Sequence, residues 1–282
     1  MRANEGDVKK VVLGVSSWLD KSVYFCVHPQ ETRQLEYYQI TEPDQLSQVD
    51  PEDSILLTDR QDFCQQAGML NIPVLVYFHE DNRDQSFAQA RYGVESLEQA
   101  DEEYMTRVFR RYHGIPWDIL ETERCIIREI RVEDANALYE IYDEPGITEH
   151  MEGLLPDPEE EKAFIRDYID KIYAFYEFGM WIVEERGTGQ VIGRAGLNYR
   201  QGYEDPEMGY VIAAPFQKKG YATEVCQAIL NYGRDELGFS QIRALVEPEN
   251  TASIALCRKL GFYFDRIVYL GNVPMQQFLW GK

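Results

Sequence analysis

Pro215-Phe-Gln-Lys-Lys-Gly-Tyr-Ala-Thr223 lies between a strand pattern and a helix pattern. An apolar run at residues 209–214 precedes it, and apolar residues recur at helical spacing after it, at positions 222, 225, 226, 229, 230 and 237. The first N–H groups of a helix lack intrahelical partners and lie at the positive end of its dipole, so they bind phosphate readily. Gly220 permits positive φ and close approach of the backbone, while Lys218 and Lys219 add positive charge. The stretch predicts an anion-binding loop.

This loop is not one of the common nucleotide-binding loops. It lacks the second spaced glycine and the Gly-Lys-Ser/Thr ending of a P-loop, and it does not contain Gly-x-Gly-x-x-Gly. On these residues alone, a basic turn at the start of a helix explains the sequence equally well.

Three segments in order resemble one family. Residues 217–222, Gln-Lys-Lys-Gly-Tyr-Ala, resemble the Gln/Arg-x-x-Gly-x-Gly/Ala signature of the GNAT superfamily of N-acetyltransferases. Residues 207–212, Glu-Met-Gly-Tyr-Val-Ile, resemble its fourth strand, and residues 249–253 with 259–262 resemble its late helix and closing turn. The nearest branch is that of the RimJ/RimL-like ribosomal-protein N-terminal acetyltransferases. The resemblance extends from Cys125 to the C-terminus.

The resemblance implies that acetyl-coenzyme A is the co-substrate. Its pyrophosphate is expected at the loop, and its pantetheine along backbone N–H groups that lack ladder partners where two strands splay apart. Asn250 is expected to cap its helix and to touch the coenzyme. The expected coenzyme-binding residues are therefore Val211, Ile212, Gln217, Lys218, Lys219, Gly220, Tyr221, Ala222, Thr223 and Asn250.

The chemistry of amine acetylation needs a base, an oxyanion donor and an acid for the leaving thiolate, because an amine is protonated at neutral pH. Glu207 matches the family's glutamate base, although a strand-surface carboxylate would look the same. Many members carry a tyrosine that acts as the general acid at the position where this chain has Cys257. Ser253 matches the serine used in the RimL-like branch, so we expect Ser253 to be the acid, with Cys257 as the alternative. A capping role for Ser253, with water as the acid, also fits.

The acceptor is expected beside the segment between the first two helices of this domain, which walls the acceptor site in the family. Glu149, Glu152 and Asp157 lie there, and His150 is the only cation close in sequence. The acidic segment predicts a cationic primary amine, either a protein N-terminus or a small polyamine-like molecule. Helix capping explains Asp157 equally well. The sequence does not identify the acceptor.

Composition limits the class of protein. The chain has 282 residues, 44% of them hydrophobic, which favours two domains. Without an apolar run of about 18 residues or a signal-peptide core, we expect a cytoplasmic protein that spans no membrane. The net charge of −21 opposes nucleic-acid binding and favours cationic substrates. Five cysteines without zinc-site spacing predict reduced thiols and no metal. Oligomeric state is left open.

The N-terminal part reads as a separate α/β domain. Strands are predicted at residues 9–15 and 22–27, and a strand, helix and strand at 54–58, 61–70 and 72–77 form a βαβ unit of a parallel sheet. Asp59 and Asp62 follow a strand, and with residues 90–97 they resemble the last third of haloacid-dehalogenase-like phosphohydrolases. That family's nucleophilic aspartate is replaced by Val-Ser-Ser at residues 15–17. We therefore expect a non-catalytic domain, with Asp59 as a helix N-cap and phosphohydrolase activity as the alternative.

A helix at residues 101–112 and a packed connector at 114–121 are predicted before the second domain. The predicted domains are residues 1–122, a haloacid-dehalogenase-like α/β domain with a parallel βαβ sheet, and 123–282, an α+β GNAT-like acetyltransferase domain with a mixed sheet. A coenzyme-A-binding module without turnover is the non-enzymatic alternative.

Overall fold

The computed structural model describes residues 7–20, 24–25 and 34–281. It divides into two compact units, Met1–Trp117 and Asp118–Lys282. The division falls five residues before the expected boundary because part of the predicted connector is a strand of the second unit.

The first unit contains a parallel five-stranded sheet in the order β2-β1-β3-β4-β5. Its strands are β1 (Lys10–Leu13), β2 (Glu36–Gln39), β3 (Ser54–Thr58), β4 (Val74–Tyr77) and β5 (Tyr92–Val94), and its helices are α1 (Gln61–Met69) and α2 (Glu102–Tyr112). Alternate residues of β1 and β3 enter two different apolar clusters, so both faces of the sheet are covered. The predicted parallel sheet is confirmed.

The strand predicted at residues 22–27 is wrong where it can be tested. Tyr24 and Phe25 lie in a helical turn, and both pack against the same core cluster. Neighbours in a strand point to opposite faces, whereas neighbours in a helix can share one side. The rest of that prediction, at residues 22, 23, 26 and 27, lies outside the described residues.

The second unit is built on an eight-stranded mixed sheet in the order β12-β13-β11-β10-β9-β8-β7-β6. Only β10 and β11 are parallel neighbours among these strands. The strands are β6 (Asp118–Glu121), β7 (Cys125–Arg128), β8 (Met180–Glu185), β9 (Val191–Asn198), β10 (Glu207–Ile212), β11 (Gln241–Val246), β12 (Tyr263–Leu270) and β13 (Val273–Gly281). The predicted mixed sheet is confirmed, and the chain after residue 262 forms a complete hairpin.

The helices of the second unit are α3 (Ala135–Tyr142), α4 (Pro158–Tyr168), α5 (Ala174–Tyr176), α6 (Tyr221–Asp235) and α7 (Thr251–Lys259). A π-helical segment, Ile169–Tyr173, joins α4 to α5. The capping roles that the sequence indicates for Asp157 and Asn250 are confirmed at α4 and α7, and Pro158 is the first residue of α4. No helix within the described ranges is both long enough and apolar enough to cross a membrane.

Candidate active site

The two parallel strands of the mixed sheet diverge. β10 pairs with β9 along its length, from Glu207↔Asn198 to Ile212↔Gly193. It pairs with β11 at one position, Glu207↔Arg243, while β11 continues along β13 as far as Val246. Beyond residue 208, the edge of β10 that faces β11 therefore has no strand partner in the described part of the chain. This opening between β10 and β11 is the splay that the sequence led us to expect.

The alternation of backbone direction shows which N–H groups face the opening. The N–H of Ala213 donates to the carbonyl of Ile192 across β9, and the N–H of Arg243 donates to the carbonyl of Pro206. Because successive residues of a strand point to opposite edges, Ile212 faces the opening and Val211 faces β9. In agreement, the Ile212 carbonyl accepts a 2.9 Å hydrogen bond from the side-chain amide of Gln217. Only Ile212 of this pair borders the opening through its main chain.

The loop that follows β10 adopts left-handed backbone at two positions. Lys218 has φ +58° and Gly220 has φ +90°, and α6 begins at the next residue. The first intrahelical bond runs from the N–H of Glu224 to the carbonyl of Gly220, so the preceding N–H groups have no helical acceptor. Lys218 and Lys219 are exposed. The loop thus combines free helix-start donors, two cations and a residue without a side chain.

Arg124 anchors this loop, a contact that no motif in the sequence indicates. Its Nε donates to Glu224 Oε2 at 2.7 Å, its Nη1 donates to the Lys219 carbonyl at 3.1 Å, and its guanidinium lies 4.1 Å from the centre of the Tyr221 ring. The hydrogen bond to Glu224 raises the pKa of Arg124. No local pattern could have identified a contact between residues 100 positions apart.

Glu207, the expected base, lies at the start of β10 with a side chain that is 15% exposed. Both carboxylate oxygens accept hydrogen bonds from Arg200, with 3.0 Å between Nη2 and Oε1. The pKa of Arg200 is raised mainly by the hydrogen bond to Glu207, with a smaller contribution from Glu152. Glu207 is therefore a paired, mostly buried carboxylate and not a free surface charge. Arg200 follows Asn198, the register partner of Glu207, by two residues, so the diagonal spacing of a hairpin could have indicated it.

Ser253, the expected acid, has a tyrosine beside it. Its hydroxyl lies 2.9 Å from the hydroxyl of Tyr210, and its N–H donates to Asn250 Oδ1 at 3.0 Å. Burial raises the pKa of Tyr210 to about 12. Cys257, the alternative acid, is 5% exposed, and burial raises the pKa of its thiol to about 11. Position 257 lacks the family's tyrosine, but Tyr210 brings a phenol hydroxyl to Ser253 from the neighbouring strand.

Glu207 and Tyr210 lie on opposite faces of the sheet. Glu207 shares a face with its partner Asn198, whose Oδ1 accepts a 2.8 Å hydrogen bond from Tyr168 at the end of α4. Tyr210 is three residues further along β10, so it points to the other face, where α7 places Ser253. The opening between β10 and β11 gives groups on the two faces access to a common gap.

More positive charge lies near the expected acceptor segment than we predicted. His150 Nδ1 lies 2.8 Å from Glu247 Oε2, beyond the end of β11. Glu152 acts electrostatically on Arg200, so His150 is not the only nearby cation. The carboxylate of Asp157 accepts a hydrogen bond from the N–H of Glu159 and caps α4. Glu149 and Glu152 remain exposed acidic groups on this segment.

In the first unit, Asp59 does not cap a helix, contrary to our expectation. Arg60 occupies the N-cap position of α1. The buried carboxylate of Asp59 accepts a 2.7 Å hydrogen bond from the N–H of Ser16, and its other oxygen lies 3.2 Å from His79 Nε2. It links the ends of three neighbouring strands. Among residues 7–20, 24–25 and 34–281, no three His, Cys, Asp or Glu side chains are grouped so as to hold a metal ion.

Residues 124–263 match the family model described as "Acetyltransferase (GNAT) domain". The chain is 33% identical over 156 residues to a Bacillus subtilis protein named "Uncharacterized N-acetyltransferase YoaA", a match that covers 53% of this chain and 85% of that protein. It is 34% identical over 149 residues to "Uncharacterized N-acetyltransferase p20" of Bacillus licheniformis, covering 51% and 82%.

The fold is similar to solved acetyltransferase structures. The structure described as RimL, ribosomal L7/L12 alpha-N-protein acetyltransferase, superposes with a TM-score of 0.51 and 14% identity, covering 60% of this chain and 96% of that one. At that identity the likeness concerns the fold alone. Together with the sequence relatives and the family model, it leads to one conclusion. The chain belongs to the GNAT family of N-acetyltransferases.

Proposed function

We propose that the second unit transfers the acetyl group of acetyl-coenzyme A to a primary amine by direct attack of the amine on the thioester. The observation that carries this proposal is the opening between β10 and β11. The anion-binding loop lies at one end of β10 and Glu207 at the other, with the Tyr210–Ser253 pair on the opposite face. The pyrophosphate of acetyl-coenzyme A can thereby bind at one end of β10 while the base, Glu207, lies at the other end.

The residues of the loop fit the coenzyme. The helix-start N–H groups of Tyr221, Ala222 and Thr223 can donate to a pyrophosphate, with Lys218 and Lys219 supplying charge. Gly220 leaves room for the anion, and Gln217 anchors the loop to the carbonyl of Ile212. The pantetheine would lie along the free edge of β10 at Ile212, since the main chain of Val211 faces β9, and Asn250 would approach it from α7. Acetyl-coenzyme A supplies the acetyl thioester.

Glu207 is proposed as the general base, directly or through water. The Glu207 carboxylate takes a proton from the ammonium, directly or through water, and the neutral amine then attacks the thioester carbonyl to form the N–C bond. Arg200 orients the carboxylate and does not itself take the proton, because arginine stays charged.

Ser253 is proposed as the acid that protonates the departing thiolate as the C–S bond breaks. Its hydroxyl is hydrogen-bonded to Tyr210, whose raised pKa keeps the phenol protonated at neutral pH. Cys257 remains the alternative donor. Its thiol is also protonated at neutral pH, but it lies buried in α7.

The proposed acceptor is a cationic primary amine, either a protein N-terminus or a small polyamine-like molecule. Glu149 and Glu152 are exposed on the acceptor segment, and the chain carries a net charge of −21. The RimL structure with a similar fold is described as acting on the N-terminus of a ribosomal protein.

We propose no catalytic role for the first unit. The Asp59 carboxylate bonds to Ser16 and His79, and no aspartate ends β1. A magnesium-dependent phosphatase assay on the full chain tests this view: hydrolysis of a phosphomonoester that is lost in Asp59→Asn would establish the phosphohydrolase alternative.

The proposed function is tested by calorimetric titration with acetyl-coenzyme A, followed by thiol release with a panel of amines. Glu207→Gln should lower kcat about 100-fold with little change in coenzyme affinity. Glu236→Gln, which removes an exposed carboxylate at the far end of α6, is the matched control. Coenzyme binding without thiol release for any amine would favour the binding-module alternative, and near-normal turnover in Glu207→Gln would remove Glu207 as the base.

A further inference from the structure

The second unit contains a polar cavity of about 310 Å³ beside the start of β10, at the lower end of the usual range for ligand pockets. We propose that this cavity selects acceptors that carry a carbonyl or carboxylate oxygen close to the reactive amine, and that Arg243 binds that oxygen. This inference rests on the proposed acetyl transfer. Amino-acyl compounds satisfy this requirement, and polyamines do not.

The cavity lies on the same face of the sheet as the proposed base. Glu207 and Arg243 are register partners on parallel neighbours, so their side chains leave the sheet on one face, with the strands roughly 4.8 Å apart. Arg243 lines the cavity together with Gln277 of β13 and with Tyr203 and Asp205 of the β9–β10 turn. An acceptor whose amine reaches Glu207 therefore has the cavity one strand spacing away.

Two polar side chains of the lining, Arg243 and Gln277, are buried and already ordered. Arg243 is 5% exposed and Gln277 2%. The guanidinium of Arg243 donates to the Asp205 carbonyl at 3.2 Å and to its carboxylate at 2.8 Å, and it lies 4.1 Å from the centre of the Tyr203 ring. Because these contacts fix the planar fork, a ligand oxygen would meet a donor that needs little reorganisation.

Arg243 retains hydrogen-bonding capacity. A guanidinium has five N–H donors. Within the described residues, two bond to Asp205 and a third reaches Gln277 Oε1 at 3.5 Å, the limit of hydrogen-bond length. Two N–H donors of Arg243 are thus left for a ligand, and the donor that reaches Gln277 forms only a weak hydrogen bond. An oxygen acceptor satisfies such donors, whereas a second ammonium cannot.

The charges around the cavity also disfavour a polyamine. Asp205 is engaged by Arg243, and the cavity additionally contains Arg266. Glu204 is an exposed carboxylate on the rim, and exposed ion pairs contribute little. The ammonium of the acceptor is therefore expected at Glu207 and its oxygen at Arg243.

The test measures the KM of the full chain for four acceptors: a peptide with a free N-terminus, a free amino acid, spermidine and propylamine. We expect a lower KM for the two oxygen-bearing acceptors than for spermidine or propylamine. The peptide and amino-acid arms distinguish an amide carbonyl from a carboxylate. Arg243→Lys should raise the KM of the oxygen-bearing acceptors at least about tenfold and leave propylamine unchanged, because a single ammonium cannot reproduce the fork.

Two further variants separate recognition from structure. Asp205→Asn removes the negative charge that competes for Arg243, while the asparagine oxygen can still accept from the guanidinium and hold the fork. It should therefore keep or lower the KM of the oxygen-bearing acceptors, even if Arg243→Lys does not fold. Arg234→Gln, at an exposed position of α6 outside the cavity, is the control and should change little.

The outcomes are distinct. Equal or better use of spermidine, equal damage to all acceptors in Arg243→Lys, or a raised KM in Asp205→Asn would overturn the inference while leaving acetyl transfer intact. Coenzyme binding with no transfer to any amine would instead overturn the proposed function and the inference with it.

Discussion

The hydroxyls of Tyr210 and Ser253 lie 2.9 Å apart, joining the diverging strand β10 to the first turn of α7. If they protonate the leaving thiolate as one unit, Tyr210→Phe and Ser253→Ala should each lower kcat, by up to about 100-fold, with unchanged coenzyme affinity. The double variant should then lose little more than the worse single variant. Fully additive losses in steady-state kinetics would show that the two hydroxyls act independently.

The pH dependence tests the same pair. Because burial raises the pKa of Tyr210 to about 12, its proton is present at every pH up to about 10. The alkaline limb of the kcat profile below that pH should therefore keep its shape in Tyr210→Phe. A limb that disappears in this variant would mean that Tyr210 titrates in the working range.

Cys257 and Ser253 can be told apart by substitution. With a thiol pKa of about 11, Cys257 should react slowly with thiol reagents at pH 8, where it is almost entirely protonated. Cys257→Ala should retain kcat within about twofold and cost about 1 kcal/mol of folding stability through lost packing. A 100-fold loss of turnover without unfolding would instead make Cys257 the acid.

The loop assignment is tested at Gly220. Any other residue at this position must keep a backbone φ of +90°, and its Cβ would lie 3.4 Å from Arg124 Nη2. Gly220→Ala introduces this strain alone, whereas Gly220→Glu adds a negative charge where the pyrophosphate is expected. We expect weakened calorimetric binding of acetyl-coenzyme A in Gly220→Ala and no measurable binding in Gly220→Glu. Unchanged affinity in the glutamate variant would place the coenzyme elsewhere.

Arg124 is expected to act on the coenzyme through the shape of the loop. Arg124→Ala removes the bonds to Glu224 and to the Lys219 carbonyl, each worth about 0.5–1.5 kcal/mol, so the Kd for acetyl-coenzyme A should rise several-fold. Arg234→Ala removes a half-exposed arginine paired with Asp235 on the same helix and should leave the Kd unchanged. Equal effects of the two variants on the Kd would indicate that the loss of a positive charge, and not the shape of the loop, weakens binding.

The acidic acceptor segment is expected to act through long-range attraction. Exposed charges contribute only about 0.2–1 kcal/mol each, so Glu149→Gln and Glu152→Gln together should raise the KM of a cationic amine several-fold with little loss of kcat. The effect should shrink as salt is added. The control neutralises Glu159 and Glu160, which lie exposed in the first turn of α4, and so changes the net charge by the same amount. A double variant insensitive to ionic strength would show that Glu149 and Glu152 are only solvated.

Much of the fold could be predicted because it depends on local pattern. The apolar strand before residue 215, the glycine at 220 and the helical spacing after it place the loop correctly, and the caps at Asp157 and Asn250 follow from local hydrogen bonding. The predicted strand at residues 22–27 failed at Tyr24 and Phe25 because a short apolar run has no period that separates strand from helix.

The sequence by itself determined the family, the loop and the order of the candidate site residues, since each is carried by a few neighbouring positions. Only the tertiary structure decided the partners of those residues: Arg200 on Glu207, Tyr210 beside Ser253, Arg124 under the loop and Arg243 in the cavity. These pairs depend on where β10 and β11 separate and on which face each strand residue takes. A single residue of register shift would exchange the faces, so such contacts are fixed by packing and not by any local run of residues.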